Sequence, residues 1–177
     1  DISLLVFDIR LGMGNANVFP AGPLRQPAQE GLKNADAVIL TGLDDGTNKH
    51  PHDFAGKTEL TTHIKIKSEH IDKNEKYLAF CGIAHPFKFE ETLKKAGINV
   101  IEFIPFPDHH EFNDGDLKDL AEKAAALDAR LITTEKDFVR LPAVFKTKHA
   151  PCVLEIELCF ESPEAVYAIL SSALKNV

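Results

Sequence analysis

Five short apolar runs, each ending in a cluster of polar, acidic or glycine-rich residues, leave this chain few folds to adopt. Residues 4–7 precede Asp8, and residues 37–40 precede Gly42. Residues 78–81 run into Gly82-Ile83-Ala84-His85-Pro86, and residues 100–104 into Pro107-Asp108-His109-His110. Residues 131–132 run into Thr133-Thr134-Glu135-Lys136-Asp137. Continuous apolar runs suit strands covered on both faces, and a helical pattern follows most of them. The pattern predicts an α/β fold with a mostly parallel sheet flanked by helices. Such a sheet brings its strand carboxyl ends to one edge, where ligands bind. The chain therefore reads as part of an active site.

The local signals place strands at residues 3–7, 36–41, 77–81, 99–104, 130–134 and 153–159. Helices are predicted near 87–96 with Gly97 as a stop, near 116–127 capped by Asn113 or Asp114, near 135–141 ended by Pro142, and over 163–174. Residues 61–67 alternate, with Thr62, Ile64 and Ile66 against His63, Lys65 and Lys67. That pattern predicts a half-exposed strand, in a small β-ribbon insertion near residues 61–68. Residues 9–27 carry three glycines and three prolines, which suits an ordered loop. Residues 42–60 are polar, with Asp44-Asp45-Gly46 as a turn signal.

With 177 residues and 44% hydrophobic content, the chain fits a single α/β unit over residues 1–177, with a sub-boundary near 42–76. A net charge of −7 argues against nucleic-acid partners, which need a basic footprint. No apolar stretch approaches a membrane span. Cys81, Cys152 and Cys159 form an odd set and read as reduced thiols. Residue 1 is Asp and a strand begins almost at once, so the chain is expected to be the C-terminal portion of a longer protein.

Asp8, directly after a strand, sits where phosphate-transfer enzymes hold Mg²⁺, often through water. The same placement suits a strand-end carboxylate accepting backbone N–H groups. Gly12-Met13-Gly14-Asn15 and Pro20-Ala21-Gly22-Pro23-Leu24-Arg25 form a turn-rich scaffold that presents Asn15 and Arg25. An arginine there can grip phosphate. Asp108 beside His109 offers an acid–base pair, because a carboxylate can orient an imidazole. Thr134 and Lys136 stand at a strand-to-helix junction, which suits an anion cradle or a plain capping pattern. Phe106 and Phe112 flank the histidine loop. His50, His52, His63, His70 and His149 lack metal-ligand spacing and read as surface histidines.

In their order, these pieces resemble the later two-thirds of the tetraacyldisaccharide 4′-kinase family of lipid A biosynthesis in Gram-negative bacteria. The carrying residues are Asp8, Gly14-Asn15, residues 20–25, Asp36-Ala37-Val38, Gly82-Ile83 with His85-Pro86 and Phe89, residues 106–109, and Thr134-Glu135-Lys136-Asp137 with Arg140. The resemblance implies an incomplete P-loop-kinase-like fold. It implies transfer of the ATP γ-phosphate to the 4′-hydroxyl of a tetraacyldisaccharide 1-phosphate, with Mg²⁺. Asp8 then falls on the Mg²⁺-holding position, through water, and contributes with Thr134 and Lys136 to the nucleotide site. Asp108 and His109 fall on the catalytic motif; Asn15, Arg25 and His85 fall near the substrate. His110 lies outside the shared pattern.

Ala16 stands where the family usually has glycine, Gln26 where it has glutamate, and Ala84 where it has glycine. The family's phosphate loop and membrane-associating N-terminal region have no counterpart here. Little turnover is expected of this chain alone, and its place is expected to be the cytoplasm, at the inner face of the inner membrane. The partners implied are ATP and the acylated disaccharide phosphate. Two alternatives stand beside this reading: a metal-dependent phosphoesterase of the Asp-His-His kind, and a non-catalytic lipid-binding remnant.

Overall fold

A computed structural model describes residues 1–42, 53–67 and 69–174. The Asp44-Asp45-Gly46 turn, His50 and His52 lie outside the described residues. Contacts divide the chain into two compact units, Asp1–Lys65 with Leu158–Val177, and Ile66–Glu157.

In the first unit, strand β1 (Leu4–Asp8) leads through the long loop and helix α1 (Ala28–Asn34) to β2 (Ala37–Thr41). These strands pair in parallel, Leu4 opposite Ala37 through Asp8 opposite Thr41. Strand β3 (Thr58–Lys67) then pairs in parallel with β2, from Ala37 opposite Thr58 to Leu40 opposite Thr61. The alternating strand near 61–68 is therefore the continuation of a sheet strand rather than a separate ribbon. Its N-terminal half finds a partner in β2, a long-range pairing that alternation alone does not encode. Phe7, Val38, Leu40 and Phe54 form this unit's buried core. The opposite face of β1 keeps Val6 63% exposed. Helix α6 (Pro163–Leu174) belongs to the same unit and leaves Tyr167 and Leu174 exposed.

In the second unit, β4 (Tyr77–Cys81), α2 (Pro86–Lys95), β5 (Val100–Pro105), α3 (Asp114–Ala126), β6 (Arg130–Thr134), α4 (Glu135–Arg140), α5 (Ala143–His149) and β7 (Cys152–Phe160) follow in order. The strands lie in the order β5-β4-β6-β7, all parallel. Every residue of β4 is buried, and its side chains alternate between two cores. Tyr77, Ala79 and Cys81 pack with Phe89 and Leu93 of α2. Leu78 and Phe80 pack with Leu117 and Leu120 of α3 and Phe145 of α5. This two-sided burial is why the strand reads as an unbroken apolar run. Helices α1 and α5 are additions to the sequence reading. Each has seven residues, follows a proline and lacks a side-chain cap, so neither carries a start signal. No helix among the described residues is long and apolar enough to cross a membrane.

Candidate active site

The three residues assigned from the front of the chain, Asp8, Asn15 and Arg25, lie in the first unit. Asp8 ends β1, and its Oδ1 accepts the backbone N–H groups of Arg10 at 3.0 Å and Leu11 at 3.1 Å. Gly42, just past β2, has φ +76°, and a Cβ there would sit 2.8 Å from that oxygen. Glycine is what lets the end of β2 approach the carboxylate. In the loop, Asn15 Nδ2 donates to the Ala21 carbonyl at 2.7 Å, and its Oδ1 accepts the Asn17 N–H at 3.1 Å. Both ends of the Asn15 amide thus hold the loop together rather than pointing outward. Val18 bridges Leu24, and the Phe19–Pro20 bond is cis. Arg25 is exposed and makes no hydrogen bond or ion pair with a described residue, so it is a cation available to a ligand.

Ala16 adopts φ +58°, the left-handed region that favours glycine. This gives a physical reason for the family's glycine at that position. Ala16→Gly is expected to raise stability by about 0.5–1 kcal/mol, because strain relief outweighs the added freedom of the unfolded chain. Urea denaturation followed by circular dichroism measures it, and a loss of stability would contradict the assigned strain.

The second unit gathers His85, Asp108, His109, Thr134 and Lys136 at the carboxyl ends of its strands. Neighbouring strands β4 and β6 send their connections in opposite directions, to β5 and to β7, the kind of switch point at which open α/β sheets bind ligands. Three loops meet there. The first, residues 82–85, leads into α2, with His85 half-buried at the cap position and its ring 5.7 Å from that of Phe87. The second, residues 106–113, follows β5 and is tied back to the first. Phe106 N–H donates to the Cys81 carbonyl at 2.7 Å, and His109 N–H to the Gly82 carbonyl at 3.1 Å.

His109 has φ +57° and a side chain 89% exposed, so the backbone turns outward and delivers its imidazole to solvent. Its Nε2 lies 3.8 Å from Asp108 Oδ2, an ion-pair separation too long for a hydrogen bond. Asp108 therefore does not fix the His109 tautomer through a hydrogen bond here.

The hydrogen-bonded imidazole–carboxylate pair is the next one along. His110 Nε2 meets Asp116 Oδ2 at 2.8 Å, its ring stacks on Phe106 at 4.7 Å, and Phe112 closes on its edge. The two phenylalanines that flank the histidine loop therefore hold His110 in place. Asp116 also accepts the Asn113 N–H at 3.0 Å, completing a capping box at the start of α3. The signal available beforehand was Asn113-x-x-Asp116, a capping-box pattern, where the sequence alone left Asn113 and Asp114 both open as the cap.

The His110 hydrogen bond first, then the Asn113 N–H, hold the Asp116 carboxyl below the usual carboxylate range. A depressed pKa contributes stability above the unfolded-state value near 4 and loses it as pH falls through the folded value. Asp116→Asn is accordingly expected to cost about 1 kcal/mol at pH 7 and less at pH 3. Urea midpoints at the two pH values test this, and an equal loss at both would refute the charge dependence.

The third loop starts α4. Thr134 Oγ1 accepts the Asp137 N–H at 3.1 Å and donates to Asp137 Oδ2 at 2.6 Å. The hydroxyl is thus engaged in both directions, the capping arrangement rather than an open cradle. Lys136 is exposed, and its ammonium makes no hydrogen bond or ion pair with a described residue, so its charge is available. Asp137 is fully buried and paired with the Arg140 guanidinium. Arg140 also donates from Nη2 to the Gly82 carbonyl at 3.0 Å and from Nη1 to the His110 carbonyl at 3.2 Å. Beneath the loops, burial and the Asp137 charge push the Cys81 thiol up to about 12, so it remains a protonated core group. Of the remaining histidines, His63 and His149 are half-buried and His70 is exposed, with its Nε2 3.0 Å from the Val153 carbonyl.

Among the described residues, no group of three or more His, Cys, Asp or Glu side chains could hold a metal ion. Mg²⁺ is commonly held by one or two carboxylates, with phosphate oxygens and water completing its shell. A lone strand-end carboxylate such as Asp8 fits that arrangement. A two-metal phosphoesterase site needs a ligand cluster, which the described residues do not offer. What the second unit does offer is an exposed imidazole beside a carboxylate and an exposed cation at Lys136, groups suited to anionic substrates.

The sequence model of the family described as "Tetraacyldisaccharide-1-P 4'-kinase" matches residues 1–175. The chain is 37% identical over 179 residues to the tetraacyldisaccharide 4'-kinase of Chelativorans sp., covering 98% of this chain and 52% of that protein. It is 38% identical over 180 residues to that of Rhodospirillum centenum, covering 99% and 52%. The crystal structure of "apo" form LpxK from Aquifex aeolicus in complex with ATP superposes with a TM-score of 0.63 at 21% identity, covering 97% of this chain and 52% of that one. That superposition gives the shared fold, and the chain spans about half the length of the curated relatives it matches. With its mostly parallel sheet, its ordered motifs and a family match over nearly its whole length, the chain belongs to the tetraacyldisaccharide-1-P 4'-kinase family.

Proposed function

We propose that the chain forms part of a kinase transferring the ATP γ-phosphate to the 4′-hydroxyl of a tetraacyldisaccharide 1-phosphate. The observation that carries this reading is the family match over residues 1–175. Asp108 and His109 are assigned to the reacting hydroxyl. His109 is assigned as the acid–base or positioning group, with the Asp108 carboxylate 3.8 Å from its Nε2. Arg25 and Lys136, the two available cations, are assigned to anionic groups of lipid and nucleotide, offsetting the net charge of −7. His85, at the cap position of α2, is assigned to the substrate. Asn15 and Thr134 contribute by shaping the loops that carry Arg25 and Lys136. Mg²⁺, held through water by Asp8, would neutralise phosphate charge.

Phosphoryl transfer rests on positioning and electrostatic stabilisation of the phosphates. This sequence contains no Gly-x-x-x-x-Gly-Lys-Ser/Thr loop. The proposal therefore assigns the phosphate loop, and peripheral attachment to the cytoplasmic face of the inner membrane, to the part of the family's length that this chain does not span. The test is ATP-dependent phosphorylation of the acylated disaccharide by the chain alone and by the chain joined to that remaining part. No turnover from the first and clear turnover from the second is expected. Turnover by the chain alone, or lipid binding without turnover by the joined protein, would overturn the reading.

A further inference from the structure

We infer that Arg140 is a positioning residue that locks the His109 loop from across the strand ends, rather than one of the cations that meet substrate. Its guanidinium reaches four acceptors, two on its own helix and two on separate loops: the Asp137 carboxylate and Lys136 carbonyl of α4, and the Gly82 and His110 carbonyls. The Asp137 carboxylate is fully buried and is held on its other oxygen by Thr134. Arg140 is thus anchored at α4 and extends from there to the loops after β4 and β5. The Gly82 carbonyl is the junction, because it accepts both the Arg140 guanidinium and the His109 N–H. With the His110 carbonyl also held, the residue carrying the exposed imidazole is clamped on both sides.

Gly82 itself leaves no slack. A Cβ there would meet His110 Cβ at 3.2 Å, the Pro107 carbonyl at 3.3 Å and Asp137 Oδ1 at 3.4 Å. The His109 imidazole makes no hydrogen bond of its own to a described residue. Its position therefore depends on its backbone, and its backbone on this node. A planar fork can serve several acceptors in fixed directions, which an ammonium cannot. Lysine at this position would keep the charge beside Asp137 and lose the reach to the two carbonyls.

The catalytic consequence rests on the kinase reading; the clamp does not. Arg140→Lys is to be compared with the unchanged sequence in two measurements. Amide hydrogen exchange of this chain should quicken about tenfold or more at His109, with Ala79 and Ile132 in the sheet unchanged. In the kinase assay of the joined protein, kcat should fall about 100-fold while KM for ATP and lipid stays within about twofold. Unchanged exchange at His109 would overturn the clamp. Faster exchange with full kcat would overturn its role in the reaction. If the unchanged joined protein had no turnover, the kinase reading would fail instead, and the exchange result would still decide the clamp.

Discussion

Replacing Arg140 with alanine is expected to cost about 3–5 kcal/mol, lowering the thermal midpoint by about 10 °C. The reason is the state in which it leaves Asp137. That carboxylate is fully buried, and without the guanidinium its remaining side-chain partner is a single threonine hydroxyl. An uncompensated buried charge is among the few causes of losses this large, whereas an ordinary surface substitution changes stability by about 0.5 kcal/mol or less. The control is the double variant Asp137→Asn with Arg140→Ala, which removes the stranded charge. It should recover a large part of the loss even though it has one more substitution. Thermal and urea unfolding by circular dichroism measure both. If the double variant were as unstable as the single one, lost hydrogen bonds to Gly82 and His110 would be the cause, not the charge.

The second large effect is expected at His109, and in activity rather than stability. In the joined kinase, His109→Ala should lower kcat by about 10²–10⁴-fold, the range for loss of a positioned acid–base group. Stability should change by about 1 kcal/mol or less, because the side chain is 89% exposed and makes no hydrogen bond to a described residue. His110→Ala should show the reverse: it removes the stacking on Phe106 and the bond to Asp116, so its loss falls mainly on stability. Paired kinetic and unfolding measurements on the two adjacent histidines separate these roles. Full activity in the His109 variant would remove it from the reaction.

The contrast between those neighbours marks how far the sequence could be read. Both were visible as an Asp-His-His cluster after an apolar strand, and family resemblance singled out His109. That Asp108 stands off at 3.8 Å while His110 bonds a carboxylate six residues later depends on the left-handed turn at His109. Nothing local in the sequence marks that turn. Likewise Thr134-x-x-Asp137 was legible as a cap, but not the burial of Asp137 or its partner. Arg140 was legible only as part of the family motif; its bonds to residues 30 and 58 positions away come from the tertiary structure.

What the sequence determined by itself were the strands and their polar ends. Burial on both faces demands an unbroken apolar run, and the change to glycine, histidine or threonine shows where the run stops. A cap at Asn113 or Asp114 and the glycine stop at Gly97 belong to the same class, since their causes lie within a few residues. Only the tertiary structure decided which side chains at those strand ends remain available to a ligand. That choice is made by bonds between loops far apart in the chain. The order β5-β4-β6-β7 brings those loops together, and no local pattern encodes that order.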